Sequence, residues 1–598
     1  MIAPVQAGAA STILGRIGED LVAWLGDGST PTLPVGAILR VEPVVPRTIA
    51  GFRARISVPG NDASASPDEL RRTAEQLKLA PWVTRCVSVP PRLYLDLDPA
   101  RMSALVCEEL TIERGVGYLA DSKLAGRRVS LAFCSPNANK PLHLGHARNM
   151  LLGTAIGNLL ELAGAHVVRS CCVSDYGVHV SKAVAAYLRH GGGATPQSSG
   201  EKGDHLVGRF YALFAADPSL ADGPNCPQAI TARWMQGDVE VVELTRRLTA
   251  WAEAGFDRTF ASFGVRFDRR FRETEEHAYI ERFIAEQRTR GALRYDESGR
   301  LVVDLGTEPP ESVPLARSDG SPLYMSHMVA AVLQRLEALG PGVEILLTVT
   351  GEEQVVPFVQ LGEILERFGY AGGVECRHLV HGLVYADGHG LSSRDGTALT
   401  IDGIVDDLAE TYGVDVARSA LQLYLLSRSI EKPLHYSHES CIETGMRMLL
   451  DVATTLEVTR AGPPFTSEHS PRMFGRPADQ QRFERFAARL VGYPLAIDRA
   501  IRRLDPSLIV HHASSLCRDF VLLLRATEDT GEPPREFTRL FPPTRDVVDH
   551  AMRTLGLQSD RLDGLEFHRG HGYARAGSDA RPGRRAPARR SPRQPRPR

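Results

Sequence analysis

The sequence predicts an α/β chain in which a nucleotide-binding domain at 126–410 follows a small α+β domain at 1–125 and precedes an all-helical bundle at 411–565. Three observations predict it. A short apolar strand, Val129, Leu131 and Phe133, runs into Pro136, which bars further ladder. From Leu142 it gives way to LHLGHARNMLLGTAIGNLLELAG, whose apolar residues recur as in a long amphipathic helix. A second strand at His166–Val173 and the turn Ser174-Asp175-Tyr176-Gly177 complete a βαβ opening, for which a right-handed crossover is expected. Beyond about 411 the pattern is almost wholly helical, as in ARSALQLYLLSR and LIVHHASSLCRDFVLLLRA, which suits a partner-binding module.

At 598 residues the chain far exceeds one hydrophobic core and should divide into several domains. The N-terminal domain mixes strand-like runs, LPVGAILRVEPVV and RLYLDLD, with the helical stretch PDELRRTAEQLKLA. GGGATPQSSGEKGD at 191–204 reads as a loop opening a helical insertion at about 191–290. There Trp234, Leu244, Leu248, Trp251, Phe256, Phe260 and Phe263 are spaced as a buried face. The nucleotide fold resumes with ALRYDESGRLVVDL, SPLYMSHMVAAVLQRLEALG, the strand VEILLTV at 343–349 and a helix from about Val355 to Arg367. The tail at 566–598 is arginine and proline with almost no apolar residue, so disorder is expected; an electrostatic arm for RNA and a solubilising tail fit it equally.

An apolar fraction of 43% and a charged fraction of 24% are those of a soluble globular enzyme, and a net charge of −2 argues neither for nor against nucleic acid. No stretch reaches the roughly 18 uncharged apolar residues of a membrane span, and the first residues lack the basic start of a signal peptide. None of the nine cysteines has CxxC spacing, so neither a metal site nor a disulfide framework is expected, and the default is a cytoplasmic, reduced protein.

His143 and His146 fall where the first strand feeds a helix N-terminus, whose free N–H groups bind anions. Gly145 between them would let a nucleotide ring approach the backbone. A bare HxGH would be mostly chance, and histidines at a helix start also serve as caps. The longer run Ser135-Pro136-Asn137-Ala138-Asn139-Lys140-Pro141-Leu142-His143-Leu144-Gly145-His146 resembles the first signature of the class I aminoacyl-tRNA synthetases, in its arginine-tRNA ligase form. The resemblance implies a Rossmann-like class I catalytic domain with a helical insertion, in which His143, Gly145 and His146 bind ATP and Lys140 assists the histidines in catalysis.

A second run, Gly388-His389-Gly390-Leu391-Ser392-Ser393-Arg394-Asp395-Gly396-Thr397, is by itself an ordinary glycine-serine loop. In its setting it resembles the second signature, typically near KMSSRKGT, which closes over ATP and offsets phosphate charge. Ser392, Ser393 and Arg394 are kept, as ATP-binding and catalytic residues. Gly390 and Asp395 stand where lysines are usual. Losing one transition-state donor costs about 3 kcal/mol, which Lys140 is placed to offset.

The same resemblance places Asn137, Asp175, Tyr176, Tyr324, Met328 and Gln354 around the amino acid. Tyr324 and Gln354 also suit core packing and a helix start. A guanidinium requires carboxylate partners. The family usually offers a glutamate in VEFSSPN and an aspartate in LYxTxDIA; this chain has Ala132 and Met328 there, and Pro357 replaces a usual histidine. Either an acidic replacement lies elsewhere, Glu352 or Glu353 among the candidates, or the side chain bound is neutral.

The resemblance spans nearly the whole chain, weakly over 1–90 and strongly over 130–180 and 380–435. It implies ATP-dependent charging of tRNA, with arginine as the expected amino acid and magnesium arriving with ATP. Transfer RNA would meet the helical bundle, where ETGMRMLL replaces a stretch usually near APYLQYAHAR, and a monomer is expected. Two other readings stand beside it: a paralog activating a neutral amino acid for tRNA or a specialised metabolite, and an RNA-binding regulator that has lost activation.

Overall fold

The computed structural model describes residues 38–44, 51–57, 83–89, 92–97, 124–306, 311–340, 342–370, 372–386, 389–390, 399–462, 474–528 and 533–557. The helical stretch expected at PDELRRTAEQLKLA, the segment carrying Ser392, Ser393, Arg394 and Asp395, and the tail at 566–598 lie outside them.

The N-terminal strands β1 (Ile38–Val44), β2 (Gly51–Ser57), β3 (Val83–Val89) and β4 (Arg92–Leu97) form an antiparallel sheet in the order β1-β2-β4-β3. The central sheet is parallel throughout. Its strands β5 (Arg128–Ala132), β6 (His166–Val173), β7 (Arg269–Arg272), β11 (Ile345–Gly351) and β12 (Glu375–His381) run in the order β12-β11-β5-β6-β7. The chain thus winds outward from β5 through β6 to β7, then returns to the other side of β5 for β11 and β12. That reversal puts a crevice between the carboxyl ends of β5 and β11, where open α/β sheets bind ligands.

Helix α1 (Leu144–Leu162) connects β5 to β6 and is buried on almost every side, not amphipathic as its spacing predicts. The reason is its place between the sheet and the C-terminal helices. A Cβ on Gly153 would lie 2.1 Å from the Phe133 ring, so glycine there is what lets helix and strand close together. Beyond β6 and α2 (Val178–His190), α3 (Gly203–Ala216), α4 (Pro227–Met235) and α5 (Val239–Ser262) are helices of the insertion expected at about 191–290. Its face of Leu244, Leu248, Phe256, Phe260 and Phe263 is buried. The loop expected at 191–204 includes a short helix, Pro196–Ser199.

Two strand groups depart from expectation. β7 lies inside the stretch that reads as helical: RRFR has a single apolar residue, Phe271, and pairs only along the sheet edge, so periodicity gives little sign of it. After α6 (His277–Thr289), β8 (Leu293–Tyr295), β9 (Leu301–Asp304) and β10 (Ser312–Ala316) form a separate antiparallel sheet and do not resume the parallel one. Helix α7 (Tyr324–Leu339) precedes β11, and α8 (Val355–Arg367) follows it.

Past β12, β13 (Val384–Ala386) pairs with both β14 (His389–Gly390) and β15 (Leu434–Tyr436), so Gly390 closes a small sheet where a loop is expected. Helices α9 (Ile401–Tyr412), α10 (Val414–Ser427), α11 (Arg447–Ala461), α12 (Pro477–Arg503), α13 (Ser507–Glu528) and α14 (Phe541–Thr554) complete the chain. Their core gathers Phe486, Phe520, Phe537 and Phe541, with Phe537 ring centroids 5.3 Å from Phe520 and 5.2 Å from Phe541. Ser507–Thr527 is long and apolar enough to cross a membrane, but Ile509, Val510, Leu516, Phe520 and Leu523 are fully buried in the bundle. Asn158 of α1 donates to the Arg553 and Thr554 carbonyls, capping α14 and tying bundle to sheet.

Candidate active site at the strand crossover

The chain leaves β5 through a strained turn. Cys134 has φ 54°, in the left-handed region a non-glycine residue rarely adopts. It is held there by donating its N–H to Asn149 Oδ1 (2.7 Å) and accepting from Cys171 Sγ at its carbonyl (2.8 Å). The next residues pair with the end of β6: Ser174 N–H donates to the Pro136 carbonyl, and Ala138 N–H to the Ser174 carbonyl. Asn137 is thereby paired with Ser174, the residue before Asp175. Asn139 donates to the His179 carbonyl, while its buried Oδ1 has no partner.

His143 is the N-cap of α1. Its Nδ1 accepts from Gly145 N–H, and His146 Nδ1 accepts from His143 N–H, both at 3.2 Å, so the two imidazoles form a capping box. Their rings stack with centroids 3.9 Å apart. With both Nδ1 atoms accepting, each neutral ring carries its proton on Nε2. Burial, then the Lys140 ammonium, pushes His143 down to about 4; burial, then His143 and Lys140, pushes His146 well below its ordinary value. Lys140 is itself lowered by burial. Two uncharged donors therefore stand at a helix N-terminus.

The strand-like stretch before α9 is laid directly on this turn. Leu144 N–H donates to the Leu399 carbonyl, Ile401 N–H to the Leu142 carbonyl, and His143 bridges Thr400, which caps α9. Asp402, in the first turn of α9, accepts from Lys202 Nζ and His205 Nε2, both at 2.7 Å. Burial opposes ionisation of Asp402, yet those two hydrogen bonds hold it down at about 2. Arg148, fully buried on α1, donates to the carbonyls of Gly382 (2.7 Å), Ser429 (3.1 Å), Ile430 (3.4 Å) and Lys432 (2.8 Å).

The other half of the crevice is acidic. The Tyr324 hydroxyl donates to Gln354 Oε1 (2.6 Å), which joins the start of α7 to the turn after β11. The Tyr324 ring is 55% exposed, but its hydroxyl is desolvated and, with Glu273 and Glu353 nearby, is pushed up to about 12. Tyr176 stacks on Trp234 (5.0 Å) and points its hydroxyl at His327 Nε2 (3.4 Å). Met328 is only 8% exposed and belongs to the core under α7, and Ala132 is half-buried at the end of β5. Asp175 accepts from the N–H and hydroxyl of Thr274 (3.0 and 2.7 Å), so it grips the turn after β7.

That turn carries side chains the motifs leave unmarked. Glu273 Oε2 accepts from the Ser174 hydroxyl (2.6 Å), and Glu276 Oε2 pairs with His327 Nδ1 (2.8 Å). Burial pushes Glu273 up to about 7. Their only signal in the sequence is RETEEH, acidic residues just past a strand that is itself hard to see.

A doubly wound sheet with a crossover crevice, and paired imidazoles capping the first helix, define the catalytic fold of the class I aminoacyl-tRNA synthetases. The family model "tRNA synthetases class I (R), catalytic domain" matches residues 116–418. The arginine-tRNA ligase of Amoebophilus asiaticus is 32% identical over 313 residues, 49% of this chain and 52% of the relative. That of Bacteroides thetaiotaomicron is 32% identical over 301 residues, 47% of this chain and 50% of the relative. The chain spans about half the length of these relatives. Among solved structures, the Thermus thermophilus arginyl-tRNA synthetase superposes with a TM-score of 0.62 at 18% identity, over 91% of this chain and 98% of the other. The Plasmodium falciparum arginyl-tRNA synthetase gives 0.63 at 13% identity with the same coverage. The chain belongs to the arginine family of class I tRNA synthetase catalytic domains.

Proposed function

We propose that the protein charges tRNA with arginine, using ATP, through an aminoacyl-adenylate. The observation that carries this reading is the pair of neutral imidazoles at the crossover crevice, on a chain whose relatives are arginine-tRNA ligases. An arginine carboxylate oxygen attacks the ATP α-phosphorus in line, the α–β phosphoanhydride bond breaks, and pyrophosphate leaves. A terminal ribose hydroxyl of tRNA then attacks the activated carbonyl and AMP departs. No side chain forms a covalent bond; the protein's work is positioning and charge stabilisation.

His143 and His146 donate Nε2–H to phosphate oxygens, and Gly145 lets the nucleotide lie against the helix start. Lys140 and Arg394 offset charge on the phosphates, with Ser392 and Ser393 closing over ATP. Asn137 and Gln354 hold the α-amino and carboxylate ends, Tyr324 lies along the stem, and Tyr176 borders the side chain, while Met328 packs in the core under α7. Asp175 acts through Thr274. Magnesium enters with ATP: among the described residues the one group spaced to bind a metal, Asp204, His205 and Asp402, already holds the Lys202 ammonium. The helices at 411–565 contact tRNA, in a cytoplasmic monomer.

The test is amino-acid-dependent AMP formation across the twenty standard amino acids, with and without total tRNA. Turnover with arginine, dependent on tRNA, is the expected result. Turnover with a neutral amino acid would replace arginine as substrate, and silence in every combination would overturn the ligase reading.

A further inference from the structure

The acidic positions at which the family usually meets a guanidinium are here Ala132 and Met328, and the second is core. Yet carboxylates reach the same crevice from another element. The turn after β7 sits at the carboxyl end of the sheet, and Asp175 fastens it there through Thr274. We propose that Glu273 is the anionic group that recognises a cationic amino-acid side chain in this pocket, with Glu276 held behind it as a positioning residue. The proposal rests on the ligase reading above.

Availability singles out Glu273. Both oxygens of Asp175 are taken by Thr274. Glu276 is 1% exposed, with Oε2 on His327 Nδ1 and Oε1 on Cys172 Sγ (3.6 Å). Glu273 gives Oε2 to the Ser174 hydroxyl, which also meets His179 Nε2 at 2.9 Å, and among the described residues its Oε1 accepts no hydrogen bond. Position agrees. Of the charges acting on the Tyr324 and Tyr176 hydroxyls, Glu273 is the strongest on each. Tyr324 in turn bonds Gln354, and Tyr176 stacks on Trp234.

Charge balance agrees as well. Among the described residues His327 is ion-paired with Glu276 alone, and neither Asp175 nor Glu273 has a cationic hydrogen-bond partner, so a neutral ligand would leave their charge uncompensated. Burial raises the Glu273 carboxyl to about 7, and Glu276 and Asp175 add to it. A guanidinium would pair with the open Oε1 and favour the ionised form.

Calorimetric titration of the full chain with arginine and with citrulline, its neutral isostere, tests this directly. Arginine should bind at least ~30-fold more tightly than citrulline, and Glu273→Gln should weaken arginine ~100-fold while moving citrulline less than about twofold. Glu273→Asp, which keeps the charge, should restore most of the preference, and an unchanged melting temperature and ATP affinity show that each variant folds. An arginine preference that survives Glu273→Gln overturns the proposal, as does a wild-type chain that binds arginine no better than citrulline. The two readings fail separately. Wild-type charging of arginine alongside an unaffected Glu273→Gln variant removes only Glu273. Glu273-dependent arginine binding with no AMP formation removes only the ligase.

Discussion

The two halves of the crevice are built in opposite ways. The nucleotide half comes from one continuous stretch, Phe133 to Arg148, in which a strained turn and a self-capping helix start place two uncharged imidazoles. The amino-acid half is collected from the end of β6, the turn after β7, the start of α7 and the end of β11, and it is acidic. A site made mainly of backbone N–H groups and a cap tolerates little change within its few residues. A site made of side chains from several elements can move a charge from one element to another while the fold stays the same. On the proposal above, Glu273 serving in place of the acids usual at 132 and 328 is such a move.

Substitutions can sharpen or break this contrast. The largest effect is expected from His146→Ala, which removes half of the capping box and, on the proposed function, a phosphate donor: AMP formation should fall ~10²–10³-fold, with about 1 kcal/mol of stability lost, read by rapid quench and urea melts. If the nucleotide half does not depend on its caps, the stability loss will be missing.

Arg148→Met should come next. It strips donors from carbonyls around Gly382 and Lys432 in a place water cannot reach. A loss of about 3 kcal/mol is expected, seen as a lower denaturation midpoint.

The pH dependence follows from burial of neutral imidazoles. His143 is at about 4 when folded against 6.5 as its ordinary value, so between those values the unfolded chain binds the extra proton. Stability from this group is therefore complete above about 6.5 and is lost as pH falls toward 4. His143→Gln cannot titrate and should flatten that acid limb in melts between pH 7 and 4.

Asp402→Asn should be the mildest. It weakens the Lys202 and His205 contacts, but the carboxylate is 32% exposed, and about 1 kcal/mol is expected. His205 is raised by its hydrogen bond to Asp402, so its share is present at low pH and fades as pH rises through its folded value. The variant should lose more stability at pH 6 than at pH 8.

The contrast also explains what could be read from sequence. Contiguity made Lys140, His143, Gly145 and His146 visible, because strand, turn and helix occupy one window and the motif is long. The motifs mark Tyr324 and Gln354 separately, and their hydrogen bond to each other could not be read from the sequence. Glu273, Glu276 and His327 were not legible, since a three-dimensional turn brings them together and the strand before it, RRFR, lacks an apolar alternation. The burial of α1 on nearly all sides was hidden for the same reason: spacing reports one apolar face, whereas the second cover comes from helices hundreds of residues later.

The tether of Arg148 has a mechanical meaning. It grips the chain at Gly382, before β13, and the same helix start grips it again at Leu399, Thr400 and Ile401. The described chain on either side of the second signature is therefore moored to one helical turn. One side chain on α1 thereby serves as a keystone for the small sheet: removing Arg148 should loosen β13 and β15 together, since it holds the carbonyls that precede each strand.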